Sequence, residues 1–284
     1  MEKLVSGTSL LSLMKADPSG KPIQFITVDE KSGHFEVTQQ AMMFLESLPR
    51  NQKVAVVAIA GPYRTGKSFL ANRLLGQSQG FEIGSTTQAC TKGIWMWNRA
   101  VQVKEDVQML VLDTEGLQSS ERSTNVDIRM FALTLLLSSL FVYNQMGPVS
   151  EHALDDLSLV AQLSNHLQIS KYQKVDDQTV DCRQYFPSFF WVMRDFFHDL
   201  EGRSPKEYLE DCLKEAPGYT ADVVKKNRVR AAITRTFKER EAFTMIRPVA
   251  DEAKLAHIEN VKWDATWDAA LKPEFKKQVN AFIN

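Results

Sequence analysis

Eight consecutive residues, 61–68, have the types and the spacing that bind a chain of phosphates. They read GPYRTGKS and match the pattern G-x-x-x-x-G-K-[ST] at every fixed position. Gly61 and Gly66 let the backbone curl around an anion, so that several N–H groups and the N-terminus of a following helix point at it. We expect Lys67 to reach the β- and γ-phosphate oxygens and the Ser68 hydroxyl to bind Mg²⁺.

The residues on either side of this loop predict the strand and the helix that the pattern requires. Residues 54–60 are apolar and largely small or β-branched, as in a buried central strand. After the loop, apolar residues recur at helical spacing until Gly76, a typical helix end: Phe69, Leu70, Leu74 and Leu75. A strand, a glycine loop and a helix in this order favour a phosphate site over a chance glycine-rich turn.

Two later segments carry residues that could complete such a site. Residues 85–93 are rich in threonine and follow the loop helix, where nucleotide switches keep a mobile segment. Thr91 is the best candidate there for a second Mg²⁺ ligand, with a plain turn threonine as the alternative. The apolar run 107–112 ends in the pattern D-x-x-G. From this pattern, Asp113 would hold the Mg²⁺ shell through water and the Gly116 N–H would contact the γ-phosphate.

The choice of base depends on a late strand. The pattern N-K-x-D, which usually reads guanine, is absent from the sequence. Asp195 follows the apolar run 189–193, and a carboxylate at that place could accept hydrogen bonds from guanine N1–H and N2–H₂. The alternative is a surface aspartate that caps the next helix, and the residues alone leave both interpretations open.

Strands alternate with helices along the chain, which predicts an α/β fold. We expect a three-layer P-loop domain with a mostly parallel, doubly wound sheet flanked by helices. Ligands of such sheets bind at the carboxyl ends of the strands, and segments 61–68, 113–116 and 194–195 all follow predicted strand ends. Residues 1–284 are predicted to form a single domain, with residues 1–50 as a lead-in to its core.

Composition argues against several other classes of protein. Thirty-four basic and thirty-five acidic side chains give a net charge of −1, so no global field attracts nucleic acid or anionic lipid. The basic residues of the predicted helix 223–237 are interpreted as a solvated face. Three scattered cysteines indicate a reducing compartment, and the longest apolar run, 131–143, is too short to span a bilayer. We expect a cytoplasmic protein that binds no nucleic acid and does not insert into membranes, any membrane recruitment being left to regions outside this chain.

Together these segments resemble the large GTPase domain of the guanylate-binding proteins, which are dynamin-superfamily GTPases close to the atlastins. The resemblance runs from about residue 52 to the end of the chain, and Thr-Lys-Gly-Ile-Trp together with Arg-Asp-Phe is a quite specific part of it. The segments that carry the resemblance are 61–68, 91–97, 113–117, 136–139, 141–144 and 194–196. Family members have a long helical region after the GTPase domain, and we expect that region to be absent from this chain.

The resemblance implies a Mg²⁺-dependent enzyme that hydrolyses GTP to GDP and phosphate. Arg64 would be an internal arginine finger, Asp195 would read guanine in place of N-K-x-D, and Glu115 would help to position the nucleophile. Residues 214–224 lie where the family has its guanine cap, a lid over the base, so a nucleotide-dependent homodimer through the nucleotide face is expected. The expected nucleotide contacts are Gly61, Tyr63, Arg64, Thr65, Gly66, Lys67, Ser68, Phe69, Gly116, Arg194 and Asp195. The expected catalytic residues are Arg64, Lys67, Thr91 and Glu115, and the expected metal ligands are Ser68, Thr91 and, through water, Asp113.

Departures from the family pattern leave alternatives open. Ala89 stands where many guanylate-binding proteins have a serine that organises catalytic water, so the turnover rate and further cleavage of GDP to GMP are in question. Leu117, rather than a water-positioning glutamine, follows Gly116, so another group must orient the attacking water. The chain could instead be a nucleotide-gated binding module with negligible turnover, an atlastin-type membrane-fusion GTPase, or a P-loop ATPase or small-molecule kinase.

Overall fold

A nine-stranded sheet organises the part of the chain that the structure describes. This computed structural model describes residues 20–29, 32–77, 80–83, 93–114, 124–158, 186–251, 254–255 and 271–284. Its strands are β1 (Pro22–Val28), β2 (Phe35–Val37), β3 (Lys53–Ala60), β4 (Ile94–Trp97), β5 (Val101–Lys104), β6 (Val107–Thr114), β7 (Leu140–Met146), β8 (Ser188–Arg194) and β9 (Arg240–Met245). Its helices are α1 (Gln39–Glu46), α2 (Lys67–Leu74), α3 (Thr124–Leu137), α4 (Glu151–Asp156), α5 (Pro205–Cys212), α6 (Ala221–Thr236) and α7 (Pro273–Ile283).

The sheet is mixed, with a parallel half and an antiparallel half. Its strands lie in the order β2, β1, β4, β6, β3, β7, β8, β9, and β5 pairs with β6 as well. Every neighbouring pair from β6 to β9 is parallel. Strands β1, β2, β4 and β5 make antiparallel pairs instead. The predicted α/β fold with a doubly wound sheet flanked by helices is confirmed, and the antiparallel half is a feature that we did not predict.

Alternate residues of the parallel strands face opposite helical layers, which places apolar cores on both sides of the sheet. In β7, Phe141 and Tyr143 pack in a cluster with residues of α3, α4, α5 and α6. Val142, between them, packs on the other side in a cluster with residues of α2 and α7. This period of two is expected for a strand that is buried on both faces. The molecule therefore has the three layers that the sequence predicts.

The helices are short, and several begin at polar caps. The side chains of Thr38, Ser150 and Thr220 each accept a hydrogen bond from a backbone N–H at the start of a helix. At the start of α5, the Ser204 hydroxyl accepts from the Glu207 N–H at 3.2 Å, and the Glu207 carboxylate accepts from the Ser204 N–H at 2.7 Å. Among the described residues, no helix combines the length and the hydropathy needed to cross a membrane.

The parallel strands bring the candidate segments to one edge of the sheet. Strands β3, β6, β7 and β8 run in the same direction, so their carboxyl ends lie together. The loop 61–68 follows β3, Asp113 lies at the end of β6, and Arg194 ends β8. Near its own end, β7 carries a buried polar pair, Asn144 and Gln145. Four neighbouring strands thus place polar residues around one point.

Candidate nucleotide site

Backbone geometry fixes the two glycines of residues 61–68, which we call the phosphate loop. Gly61 has a φ of 143°, and a side chain there would place its Cβ 2.1 Å from the backbone oxygen of Asn144. Gly66 is the N-cap of α2 and has a φ of 80°, in the left-handed region that favours glycine. A helix that begins at such a turn presents its first N–H groups to an anion. The loop therefore has the backbone of a phosphate cradle.

Lys67 is held against the backbone of this loop. It is the first residue of α2, and only 6% of its surface is exposed. Its Nζ donates to the backbone oxygen of Pro62 at 2.9 Å, and the Thr65 hydroxyl donates to the same oxygen at 2.9 Å. An ammonium group has three donors, so this position is compatible with additional contacts to phosphate oxygens.

Ser68 and Asp113 form a pair of oxygen ligands suited to Mg²⁺. The Ser68 Oγ donates to the Asp113 Oδ2 at 2.6 Å, and Asp113 is fully buried at the end of β6. Mg²⁺ prefers oxygen ligands and usually takes one or two protein side chains together with water and substrate phosphates. In the described ranges no group of three His, Cys, Asp or Glu side chains could hold a metal by itself. The donor set thus fits a metal that is shared with a nucleotide.

The side chain of Arg194 lies beneath the phosphate loop. Only 5% of its surface is exposed, and a Cβ placed on Gly66 would lie 3.2 Å from its Nη1. Its guanidinium carbon lies 5.5 Å from the ring centre of Phe69 and 5.7 Å from that of Phe275. Burial lowers the pKa of Arg194 to about 10, and the neighbouring Asp195 carboxylate opposes the shift. Its Nε and Nη1 have no hydrogen-bond partner among the described residues, so aromatic faces hold this charge under the loop.

Asp195 occupies a strained position directly after β8. Its φ is 51°, and its side chain is 30% exposed with Oδ2 4.0 Å from Arg247 Nε. Helix α5, the next described helix, is capped by Ser204, so Asp195 does not act as its cap. The carboxylate therefore lies at the same sheet edge as the phosphate loop, where a ligand can reach it.

Arg64 lies at the exposed tip of the phosphate loop. Its φ of 62° is uncommon for a residue with a side chain, and its guanidinium carbon lies 5.6 Å from the ring centre of Tyr63. Thr65, the next residue, is buried instead. The loop therefore turns Arg64 outward while its neighbour anchors the backbone.

The predicted guanine cap, residues 214–224, follows α5, and its last four residues form the first turn of α6 instead of continuing the predicted loop. Asn227 of α6 ties it down, since its Oδ1 accepts from the Ala216 N–H and its Nδ2 donates to the Ala216 oxygen, both at 2.9 Å. Further along the segment, Tyr219 is 99% exposed. The segment is thus fixed to a helix at Ala216, while the side chain of Tyr219 projects into solvent.

The basic residues of α6 are partly engaged with α4. Arg230 Nη2 lies 2.6 Å from Glu151 Oε1, and Lys226 Nζ lies 3.2 Å from the other oxygen of that carboxylate. Lys225, whose side chain is 63% exposed, pairs with Asp155 at 3.3 Å. A solvated face therefore describes only part of this helix, and of these pairs the exposed Lys225–Asp155 pair contributes little stability.

Some predicted residues lie outside the described ranges. These are Thr91, Glu115, Gly116 and Ala89, so the roles predicted for them stay predictions. The structure brings together the phosphate loop, Asp113 and Arg194. It also adds Asn144, to which the sequence reasoning assigned no role, although this residue stands near the end of an apolar strand as the other candidates do.

Comparison with known proteins identifies the relatives of this chain. The family model described as guanylate-binding protein, N-terminal domain, matches residues 32–284. Human guanylate-binding protein 6 is 38% identical over 264 residues, which cover 90% of this chain and 41% of that protein. Mouse guanylate-binding protein 7 is 40% identical over 245 residues, which cover 84% of this chain and 38% of that protein. The chain thus spans about two fifths of the length of these curated relatives.

Toc33 from Arabidopsis thaliana is one of the solved structures that this chain resembles. It has a TM-score of 0.36 at 12% identity, over 86% of this chain and 88% of that one, a likeness too weak to indicate a function. The sequence match is decisive by itself, because it covers nearly the whole chain. This chain belongs to the guanylate-binding protein family and corresponds to the N-terminal domain of its members.

Proposed function

We propose that this chain binds GTP with Mg²⁺ and hydrolyses it to GDP and phosphate. The observation that carries the proposal is the contact between two motifs that lie 45 residues apart in the sequence, since Ser68 of the phosphate loop donates to Asp113 at 2.6 Å. A P-loop hydroxyl beside a strand-end aspartate is the protein part of a Mg²⁺–nucleotide site. Guanine as the base is supported by membership of a family whose members are named guanylate-binding proteins.

In this proposal, nucleotide binding rests on the phosphate loop and its lysine. The loop N–H groups and the N-terminus of α2 surround the β-phosphate, and Lys67 contacts the β- and γ-phosphate oxygens. Ser68 would hold Mg²⁺ directly and Asp113 would hold it through water. A metal ion held there would neutralise charge on the phosphate oxygens. The residues 61–68 thus supply both the shape and most of the positive charge.

Arg64 supplies charge to the transition state. A guanidinium group can match the oxygens over which the transferring phosphoryl group spreads its charge, and such a finger contributes about 10³ to 10⁵ in rate. Arg64 lies at an exposed loop tip, so contact with a second copy of the chain over the nucleotide would order it and hold it in productive geometry. Thr91 and Glu115 keep the roles that the family resemblance implies, as a Mg²⁺ ligand and a group that positions the nucleophile.

Asp195 reads the base. Its carboxylate is accessible at the end of β8, where it accepts hydrogen bonds from guanine N1–H and N2–H₂, and Arg247 Nε lies 4.0 Å from its Oδ2. The cap segment 214–224 covers the base and contributes to the dimer contact, for which the exposed Tyr219 is available. Adenine presents no such pair of donors, so a carboxylate acceptor at this position disfavours ATP.

Nucleotide titrations and single-turnover hydrolysis test the proposal. The wild type should prefer GTP and GDP over ATP and should release phosphate. Arg64→Ala should bind GTP nearly normally while its turnover falls at least about a hundredfold, the lower side of the range for an arginine finger. Arg50→Ala is the matched control, because Arg50 is an exposed arginine at the opposite end of β3, and it should keep both properties.

The dimer is tested by the concentration dependence of the rate. Turnover per enzyme should rise with protein concentration, and a flat rate from the nanomolar range to tens of micromolar would contradict the dimer. Normal turnover in Arg64→Ala would show that Arg64 does not act as an arginine finger. GTP binding without measurable turnover would indicate a nucleotide-gated binding module, and a preference for ATP would overturn the choice of base.

A further inference from the structure

A buried asparagine of β7 holds the phosphate loop from below. Asn144 has no exposed surface, and its Nδ2 donates to both oxygens of Thr65, at 2.8 Å to the carbonyl and 2.9 Å to the hydroxyl. The Thr65 hydroxyl donates in turn to the Pro62 oxygen, which also accepts from Lys67 Nζ. A chain of hydrogen bonds therefore leads from β7 to the oxygen on which the loop lysine rests.

In this chain of hydrogen bonds, each donor points the same way, from β7 toward Pro62. An amide can begin it because an amide donates, and an ionised carboxylate cannot because it only accepts. Both hydrogens of the Asn144 amide are used, so the Thr65 hydroxyl accepts on one side and must donate on the other, toward Pro62. Hydrogen bonds linked in this way polarise and strengthen one another inside a protein. The position of Pro62, and hence of the lysine that bonds to it, thus depends on two donors from β7.

The side chain of Asn144 is connected to the loop through its Nδ2 donors and not through its Oδ1 acceptor. Its Oδ1 is buried and has no hydrogen-bond partner among the described residues, which carries a free-energy cost that an apolar residue would avoid. The backbone of the same residue also closes against Gly61, where no Cβ could be accommodated. One residue of β7 therefore supports the phosphate loop at its start and directly after its tip.

We infer that Asn144 is a positioning residue for phosphate binding, acting through Thr65 and Pro62 on the placement of Lys67. It contacts the loop and not the phosphates. The inference rests on the proposed function, because it requires that the loop binds a nucleotide. It adds a residue 79 positions away from Thr65 that no pattern in the loop itself predicts.

Asn144→Leu tests the inference, because it is close in shape, removes both donors and adds no charge near the phosphates. We expect the Kd for GDP, measured by calorimetry below the melting transition, to rise at least about tenfold. Asn72→Leu is the matched control, since Asn72 is equally buried and also bonds to backbone, donating to the Phe81 oxygen at 2.9 Å. It should lower the melting temperature while the Kd for GDP changes less than about twofold. Equal loss of affinity in both variants, or a Kd for Asn144→Leu within about twofold of wild type, would overturn the inference.

A double-mutant cycle tests the connection itself. Thr65→Val removes the hydroxyl without changing the shape, so it breaks the same chain one step nearer the phosphates. The double variant Thr65→Val with Asn144→Ala should raise the Kd for GDP by much less than the product of the two single fold-changes, because residues in one network are coupled. A full product would overturn the inference. If the Asn144 variants do not fold, Thr65→Val alone tests the inference, and an unchanged Kd for GDP would refute the role of these hydrogen bonds. A wild type that binds no GDP would instead contradict the proposed function.

Discussion

Replacing Arg194 with methionine should move stability and nucleotide affinity in opposite directions. Burial lowers the pKa of Arg194 from its ordinary value to about 10. At about 1.4 kcal/mol per pKa unit, keeping it charged at neutral pH costs about 3 kcal/mol. The rings of Phe69 and Phe275, at 5.5 and 5.7 Å, each return roughly 0.5 to 2 kcal/mol through cation–π contact. Arg194→Met fills the same space without a charge, so the free energy of unfolding should stay equal or rise by about 1 kcal/mol.

The same substitution removes a positive charge from beneath the phosphate loop. Two unit charges about 8 Å apart interact by roughly 2 kcal/mol at the effective dielectric constant of about 20 that suits protein sites. The backbone of Gly66 is the layer between Arg194 and the inside of the loop, so this estimate is of the right order. A loss of that size raises the Kd for GDP by about thirtyfold.

Urea unfolding without nucleotide and calorimetry with GDP measure the two effects. The sign of the pH dependence follows from the lowered pKa of Arg194: the wild type should gain stability relative to Arg194→Met only above pH 10, where the folded state releases this proton and the unfolded state still holds it. Arg73→Met is the control, because Arg73 is also fully buried, with its guanidinium carbon 5.0 Å from the Phe69 ring centre, but lies further along α2. It should leave the Kd for GDP within about twofold. A clear loss of stability with unchanged affinity in Arg194→Met would refute the reasoning.

Two further substitutions address the phosphates and the base. Lys67→Ala should weaken GTP and GDP binding at least about tenfold, because charge-assisted hydrogen bonds contribute roughly 1.5 to 3 kcal/mol each; Lys53→Ala, at the exposed other end of β3, should change neither, and unchanged affinity for Lys67→Ala would remove it from the site. Asp195→Asn should lose affinity for GTP and gain relative affinity for xanthosine triphosphate, whose C2 oxygen accepts the new amide donor, whereas Asp199→Asn should keep the guanine preference. If Asp195→Asn still prefers guanine by the wild-type margin, the base is read elsewhere.

Local patterns made the phosphate loop predictable, and distant contacts made its supports unpredictable. The spacing of residues 61–68 and the apolar strands around them are properties of short segments, so the loop and the strand-end position of Asp113 follow from the sequence. The support from Asn144 depends on a pairing across 79 residues. The place of Arg194 depends on two rings, one of which belongs to the last helix, α7. No local pattern encodes either contact.

Sequence reasoning predicted neither the charged start of strand β9 nor helix α5. Arg240 and Glu241 begin this strand because Arg240 forms two hydrogen bonds with Glu210 at 2.8 and 2.9 Å and Lys206 pairs with Glu241 at 2.6 Å. Charged residues so paired can enter a strand. The sequence contains a signal for the start of helix α5, namely Ser204 with its capping box. Only one buried apolar residue, Leu209, lies on the inner face of this helix, so its apolar periodicity is weak.

The strand order has a consequence for protein synthesis. Strand β3, which carries the phosphate loop, lies between β6 and β7, and neither has been made when β3 leaves the ribosome. Arg194 follows Lys67 by more than a hundred residues, so at roughly 5 to 20 residues per second it is synthesised on the order of ten seconds after the loop. Until β6 and β7 have been made, β3 is an apolar central strand without its partner strands. Ribosome-bound chains that end before β8 should therefore not retain guanine nucleotide, and the capacity to bind it should arise late and abruptly as the chain grows.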